Sequence, residues 1–166
     1  KVEKMGGEVT YLKVNREGLV DLKELEAAIT DKTILVSIMW ANNETGVIQP
    51  MAEIAKICKT HDALLHTDPV QMLGKMPLDF TRLGVDMMSI AAHKMGGPLG
   101  AAALVVRQDL SITPLFYGGG QELRRRAGTE NIPAISGFAK AVELIDIKHM
   151  TQLRTWLDEL ESQCDV

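Results

Sequence analysis

Apolar and polar positions along this chain follow two periods, and the switches between them mark its elements. Residues 33–40 form an almost unbroken, β-rich apolar run, the pattern of a strand covered on both faces. Runs at 63–67, 85–90 and 101–106 predict three more strands, and 8–14 predicts a short one near the start. The turn-like Asn15-Arg16-Glu17-Gly18 closes that first strand. Asp21 caps a predicted helix from Leu22 to about Ile29, with Leu22, Leu25, Ala28 and Ile29 apolar. Pro50 starts another, whose stripe is Met51, Ile54, Ala55 and Cys58. Residues 133–160 are again helical in pattern, predicted as two helices meeting near His149.

Strands alternating with helices indicate an α/β domain with a largely parallel sheet flanked by helices. No internal repeat or linker divides it. The first and last elements lack the caps of a finished domain, so the chain reads as a piece of a larger one.

Composition narrows the picture mainly by exclusion. With 166 residues, 46% of them apolar, the chain can bury one compact core. The 18 Lys and Arg against 22 Asp and Glu leave a charge of −4, which argues for neither nucleic acid nor an anionic membrane as partner. No apolar run approaches the ~20 residues of a membrane helix. Cys58 and Cys164 form no CxxC and no metal-ligand spacing, so a reducing cytoplasm is expected and a disulfide framework is not. The nine methionines fit as gap-fillers in the core.

Candidate chemistry gathers at three predicted strand ends. Asn43 lies in the polar loop Asn42-Asn43-Glu44-Thr45-Gly46 after the first long strand. Asp68 follows the strand 63–67, and Gln71 comes three positions later, where a helical turn would aim both into one site. His93-Lys94 follows the strand 85–90. In α/β sheets, groups at the carboxyl ends of strands converge on ligands. An amine for a Schiff base, a carboxylate for a pyridine nitrogen and amides for ring oxygens are what pyridoxal phosphate (PLP) chemistry requires.

Taken singly, each residue has an ordinary reading. Lys94 is a solvated lysine, His93 a loop histidine, Asp68 a helix cap and Gln71 a surface amide. Asn43 is turn chemistry, and Thr129 a cap for the following helix. His66 and Asp68 alternate on a strand without a third ligand, so no metal site is expected. The cluster Arg124-Arg125-Arg126 reads as solvated or dimer-facing.

Joint order lifts the catalytic reading above these. Ala41-Asn42-Asn43-Glu44-Thr45-Gly46, His66-Thr67-Asp68-Pro69-Val70-Gln71, Ala92-His93-Lys94 and Arg126-Ala127-Gly128-Thr129-Glu130-Asn131 all resemble the cysteine desulfurases. Those enzymes belong to the class-V aminotransferase group of fold-type I PLP enzymes. Order and spacing match from about Gly7 to Leu144, including the 26 residues from Asp68 to Lys94. The resemblance implies the central part of a large PLP-binding domain over residues 1–148. Residues 149–166 would then be a helix leading toward a carboxy-terminal small domain.

By that resemblance Lys94 holds the cofactor as a Schiff base and moves the substrate Cα proton, and Asp68 pairs with the pyridinium nitrogen. Asn43 and Gln71 hydrogen-bond the phenolic oxygen or its surroundings, and His93 contacts the phosphate region. Thr129 reaches the phosphate of a neighbouring subunit's cofactor, which implies a homodimer. The implied reaction takes sulfur from L-cysteine to an enzyme thiolate, leaving L-alanine. It serves sulfur mobilisation such as iron–sulfur cluster assembly, with a sulfur-acceptor protein as a further partner.

Two positions depart from the family's pattern. Ala91 stands where many relatives carry a phosphate-binding serine, and Pro69 replaces an alanine, which a first helical turn tolerates. No segment resembles the family's amino-terminal phosphate loop, its ring-stacking histidine, its cysteine loop or its carboxylate-binding arginine. The isolated chain is therefore expected not to complete the reaction. A selenocysteine lyase or other class-V relative remains a close alternative. A truncated or degenerate domain that only folds and associates is the alternative of another class.

Overall fold

The stripe read from the sequence of the second helix is the one the protein buries. In the computed structural model, which describes residues 2–164, helix α2 (Met51–Thr60) buries Met51, Ile54, Ala55 and Cys58. It packs against α1 (Leu22–Ala28), the short α3 (Phe80–Leu83) and strand β2 (Leu64–Asp68). The Asp21 carboxylate accepts from the Lys23 and Glu24 amides and so caps α1, as its side-chain chemistry dictates. Strand β1 (Leu35–Met39) pairs in parallel with β2, and β2 with β3 (Met87–Ala91). With β4 (Ala102–Val106) they form a mostly parallel four-stranded sheet in the order β1-β2-β3-β4. The expected α/β class is the one observed.

Contacts within the chain divide it into two compact units. The first runs to Asp68 and includes Asp79–Met88. In it, Val36, Leu65, Thr67 and Met88 are buried on one face of the ladder. Thr67 satisfies its buried hydroxyl by donating to the Ile38 carbonyl at 2.9 Å. The buried Asp86 carboxylate accepts from the Leu65 amide at 2.8 Å, while the Asp86 amide donates to the Leu65 carbonyl. That doubled bond fixes β2 to the start of β3. Gln49 does similar work farther out, accepting from the Val20 amide at 2.9 Å and donating to the Gly18 carbonyl at 2.8 Å.

The second unit comprises Pro69–Leu78 and the residues from Ser89 onward. Its core is small: Ala92, Ala101 and Ala134, with Phe138 packed against them. Helix α4 (Ile132–Glu143) lies close to a single 3-10 turn, Ala92–Met95. Glycine permits the approach. A Cβ on Gly97 would stand 2.9 Å from the Ala92 Cβ and 3.2 Å from that of Ala141, and one on Gly137 would meet Pro98 at 2.9 Å. Helix α5 (Lys148–Ser162) follows, with Leu153, Trp156, Leu157 and Leu160 exposed.

Three expectations need correction. Residues 8–14 form no strand, only a bridge between Val14 and Val20, because Val9 and Tyr11 are exposed and have no face to bury. Strand β1 is covered on one face rather than two: Val36 is buried, whereas Leu35 and Met39 are exposed. After Asp68 a helical turn forms, the Pro69 carbonyl accepting from the Met72 and Leu73 amides, but it does not continue as a helix. The last two helices do meet near His149, separated by residues 144–147.

Candidate functional site

The parallel ladder decides what lies beside Asp68. Met39 and Asp68 are register partners at the carboxyl ends of β1 and β2, and the Trp40 amide donates to the Asp68 carbonyl at 2.9 Å. The loop after β1 therefore leaves the sheet at the same edge that carries the carboxylate. An antiparallel bridge between Ala41 and Ile48 closes the loop's base. Asn42 shapes the tip: its side-chain oxygen accepts from the Glu44 and Thr45 amides at 2.9 Å each and from the Thr45 hydroxyl at 3.2 Å. Gly46 completes the turn at a φ of 73°, a left-handed conformation suited to glycine. Turn chemistry thus falls to Asn42, and Asn43 stands exposed next to it, donating to the Glu44 carboxylate at 2.6 Å.

Strand alternation puts His66 on the same face as Asp68. The Ser37 hydroxyl lies 2.8 Å from His66 Nδ1. Burial pushes the His66 imidazole below its usual range, and the nearby Asp68 charge pulls only partly the other way. The folded chain therefore binds this proton less readily than the unfolded chain, and its stability falls as pH drops through the ordinary imidazole range. Among the described residues no three His, Cys, Asp or Glu side chains cluster as metal ligands.

Lys94, in the second unit, belongs to the 3-10 turn that ends at Gly96 in a left-handed conformation. The amide of the buried Ala92 donates to the Ala101 carbonyl at 3.0 Å and roots the turn. Lys94 borders an open cavity of about 220 Å³ shared with Gly74, Lys75 and Asp146. Gly74 has a φ of 82°, and a Cβ there would meet that of Met95 at 3.3 Å, so this wall admits only glycine without strain. Lys75 Nζ donates to the Gln71 carbonyl at 3.0 Å and to its side-chain oxygen at 3.3 Å. Gln71 is thereby tied to the cavity through Lys75. Among the described residues Lys94 itself makes no ion pair or hydrogen bond through its amine. His93 is exposed on the same turn.

Thr129 is exposed in the loop before α4 and does not line the Lys94 cavity. It is not the cap of that helix either: the Asn131 side chain accepts from the Ala134 amide at 3.3 Å. In the first unit Asn43 shares a sheet edge with Asp68, and in the second Gln71 and Lys94 share one cavity neighbourhood. Sequence reasoning missed Lys75, Gln49 and the Ser37–His66 contact. None had a local signal: the even spacing of His66 and Asp68 puts both on one strand face but does not point to Ser37.

Residues 1–165 match the family described as Aminotransferase class-V. The chain is 48% identical over 161 residues to the cysteine desulfurase IscS of Dictyoglomus turgidum, covering 93% of this chain and 41% of that protein. It is 44% identical to the mitosomal cysteine desulfurase of Trachipleistophora hominis, covering 98% of this chain and 37% of the relative. Among solved structures, a NifS-like protein superposes with a TM-score of 0.89 at 40% identity, over 98% of this chain and 45% of its own. SspA in complex with cysteine gives 0.83 at 40% identity, over 87% and 42%. The chain thus spans about two fifths of the length of the curated relatives it matches.

Proposed function

The chain belongs to the class-V aminotransferase family, and from that premise we propose that it is the middle portion of a PLP-dependent cysteine desulfurase. The observation that carries this reading is Lys94: an exposed amine on a braced turn, at the lip of an open cavity, held in no ion pair among the described residues. Carbonyl chemistry needs an amine so placed, because a lysine locked in an ion pair is a poor nucleophile.

The donor set fits the cofactor. Asp68 would supply a carboxylate for the pyridine nitrogen, Asn43 and Gln71 amides for the phenolic oxygen and its surroundings, and His93 a contact in the phosphate region. Ala91 offers no hydroxyl there, so phosphate binding is weaker by about one hydrogen bond. When bound, PLP withdraws electrons from the substrate Cα and makes its proton acidic. Lys94 would take that proton and return one at Cα. The sulfur–Cβ bond of L-cysteine breaks, sulfur passes to a thiolate as a persulfide, and protonation of Cβ leaves L-alanine.

Cys58 is unsuited to supply the thiolate: it is buried in α2, and burial with the Asp86 charge nearby raises its pKa to about 11. We therefore expect the chain alone to bind cofactor but not to turn over cysteine. The whole protein would act as a homodimer in which Thr129 reaches the neighbouring subunit's cofactor phosphate, and would pass sulfur to an acceptor protein. We assign residues 1–148 to the cofactor domain and 149–166 to a connecting segment, with residues 1, 165 and 166 outside the described residues, supported by the break before α5. Two free cysteines fit a cytoplasmic setting.

Adding PLP to the chain tests this. A visible absorption band should appear, and borohydride should fix the cofactor on Lys94, as peptide mapping would show. No adduct, or one that survives Lys94→Ala, would favour a domain that folds and associates without catalysis.

A further inference from the structure

The face of β2 that carries Asp68 holds a second polar side chain with a defined anchor. His66 and Asp68 are two residues apart on one strand, about 7 Å between Cα atoms, and point to the same side. Thr67 between them turns to the buried side, where its hydroxyl is spent on Ile38. Across the ladder His66 pairs with Ser37, and the hydroxyl lies 2.8 Å from Nδ1. On the other flank its register partner is Met87, so neither neighbour across the strands is ionisable.

A hydroxyl bonded at Nδ1 fixes the plane of an imidazole and, when it donates, leaves the ring proton on Nε2. His66 is half-buried, its ring is held toward the neutral form, and it senses the Asp68 charge. Both residues also engage further partners. Half-buried Asp68 thus shares its face of β2 with an imidazole anchored at Nδ1.

We propose that His66, oriented by the Ser37 hydroxyl, is a positioning residue for Asp68, holding the carboxylate in the orientation that meets the pyridine nitrogen. This rests on the reading of Asp68 as that nitrogen's partner. His66 does not touch the cofactor or the reacting atoms. It acts through Asp68, and Ser37 acts through His66.

The test begins with the full chain, isotope-labelled and without cofactor. Nitrogen NMR should show the His66 ring protonated on Nε2, a mixture of tautomers in Ser37→Ala, and recovery in Ser37→Thr. Asp68→Asn should move the His66 titration further down. With PLP added, Ser37→Ala and His66→Gln should each bind about three- to tenfold more weakly, the factor one net hydrogen bond is worth. Both should shift the visible band, and Ser37→Thr should restore it. If His66→Gln fails to fold, the two Ser37 variants carry the comparison. An unchanged His66 titration in Asp68→Asn, or equal PLP affinity and spectrum in native, Ser37→Ala and Ser37→Thr chains, overturns this inference alone. A native chain that forms no Lys94 adduct overturns the cofactor reading and this inference with it.

Discussion

Asp68 and Lys94 are held in their units by opposite means. Asp68 ends a regular strand with five register pairs to β1, backed by a buried face and by the Asp86–Leu65 clamp. Lys94 sits on one 3-10 turn whose support is alanine and glycine packed at the closest distances backbone allows. A ladder tolerates change on its open face because many equivalent hydrogen bonds share the load. A turn wedged by missing Cβ atoms has no such reserve, so the smallest added group is felt. The carboxylate side should therefore fail through lost burial and the amine side through added volume.

Leu65→Ala should have the largest effect. Leu65 is 1% exposed between β1 and β3, and its truncation should cost about 2–5 kcal/mol in denaturant unfolding. Hydrogen exchange should quicken first in β1 and β2. Gly97→Ala should cost about 1–3 kcal/mol through contact with Ala92 and Ala141. It should quicken exchange around Ala92–Met95 while leaving the β1–β2 amides as slow as before. Equal loosening of both regions would break the comparison.

Cys58 gives a probe of the first unit that needs no substitution. Near pH 8 a thiol reagent should label Cys164 in the native chain and reach Cys58 only in denaturant, since Cys58 is buried and Cys164 exposed. The folded Cys58 holds its proton to about 11, whereas the unfolded thiol ionises near its ordinary value of 9.0, so stability should fall as pH rises between the two. A melting temperature flat across that window would contradict the burial. Asp21→Ala should have the smallest effect, about 1 kcal/mol for a lost helix cap, with no change near Lys94.

The elements most legible in the sequence were those whose signal is local. The α2 stripe, the Asp21 cap and the strand ending at Asp68 follow from spacing and side-chain chemistry within a few residues. The 8–14 segment misled because alternation signals a strand only where a partner ladder and a covering layer exist, and neither is there. After Asp68 the helical reading holds for single turns only: the Pro69 carbonyl accepts from the Met72 and Leu73 amides, but no continuous helix follows.

From local pattern alone came the class of fold, its main helices and strands, and the residues proposed for the site: Asn43, Asp68, Gln71, His93, Lys94 and Thr129. Capping, periodicity and ordered motifs are written in short stretches of chain. Folding added what those stretches cannot specify: Asn42 makes the turn beside Asn43, Lys75 holds Gln71, and Ser37 anchors His66. The Ser37–His66 contact joins residues 29 apart in sequence, and parallel register, which no local pattern encodes, is what sets them side by side.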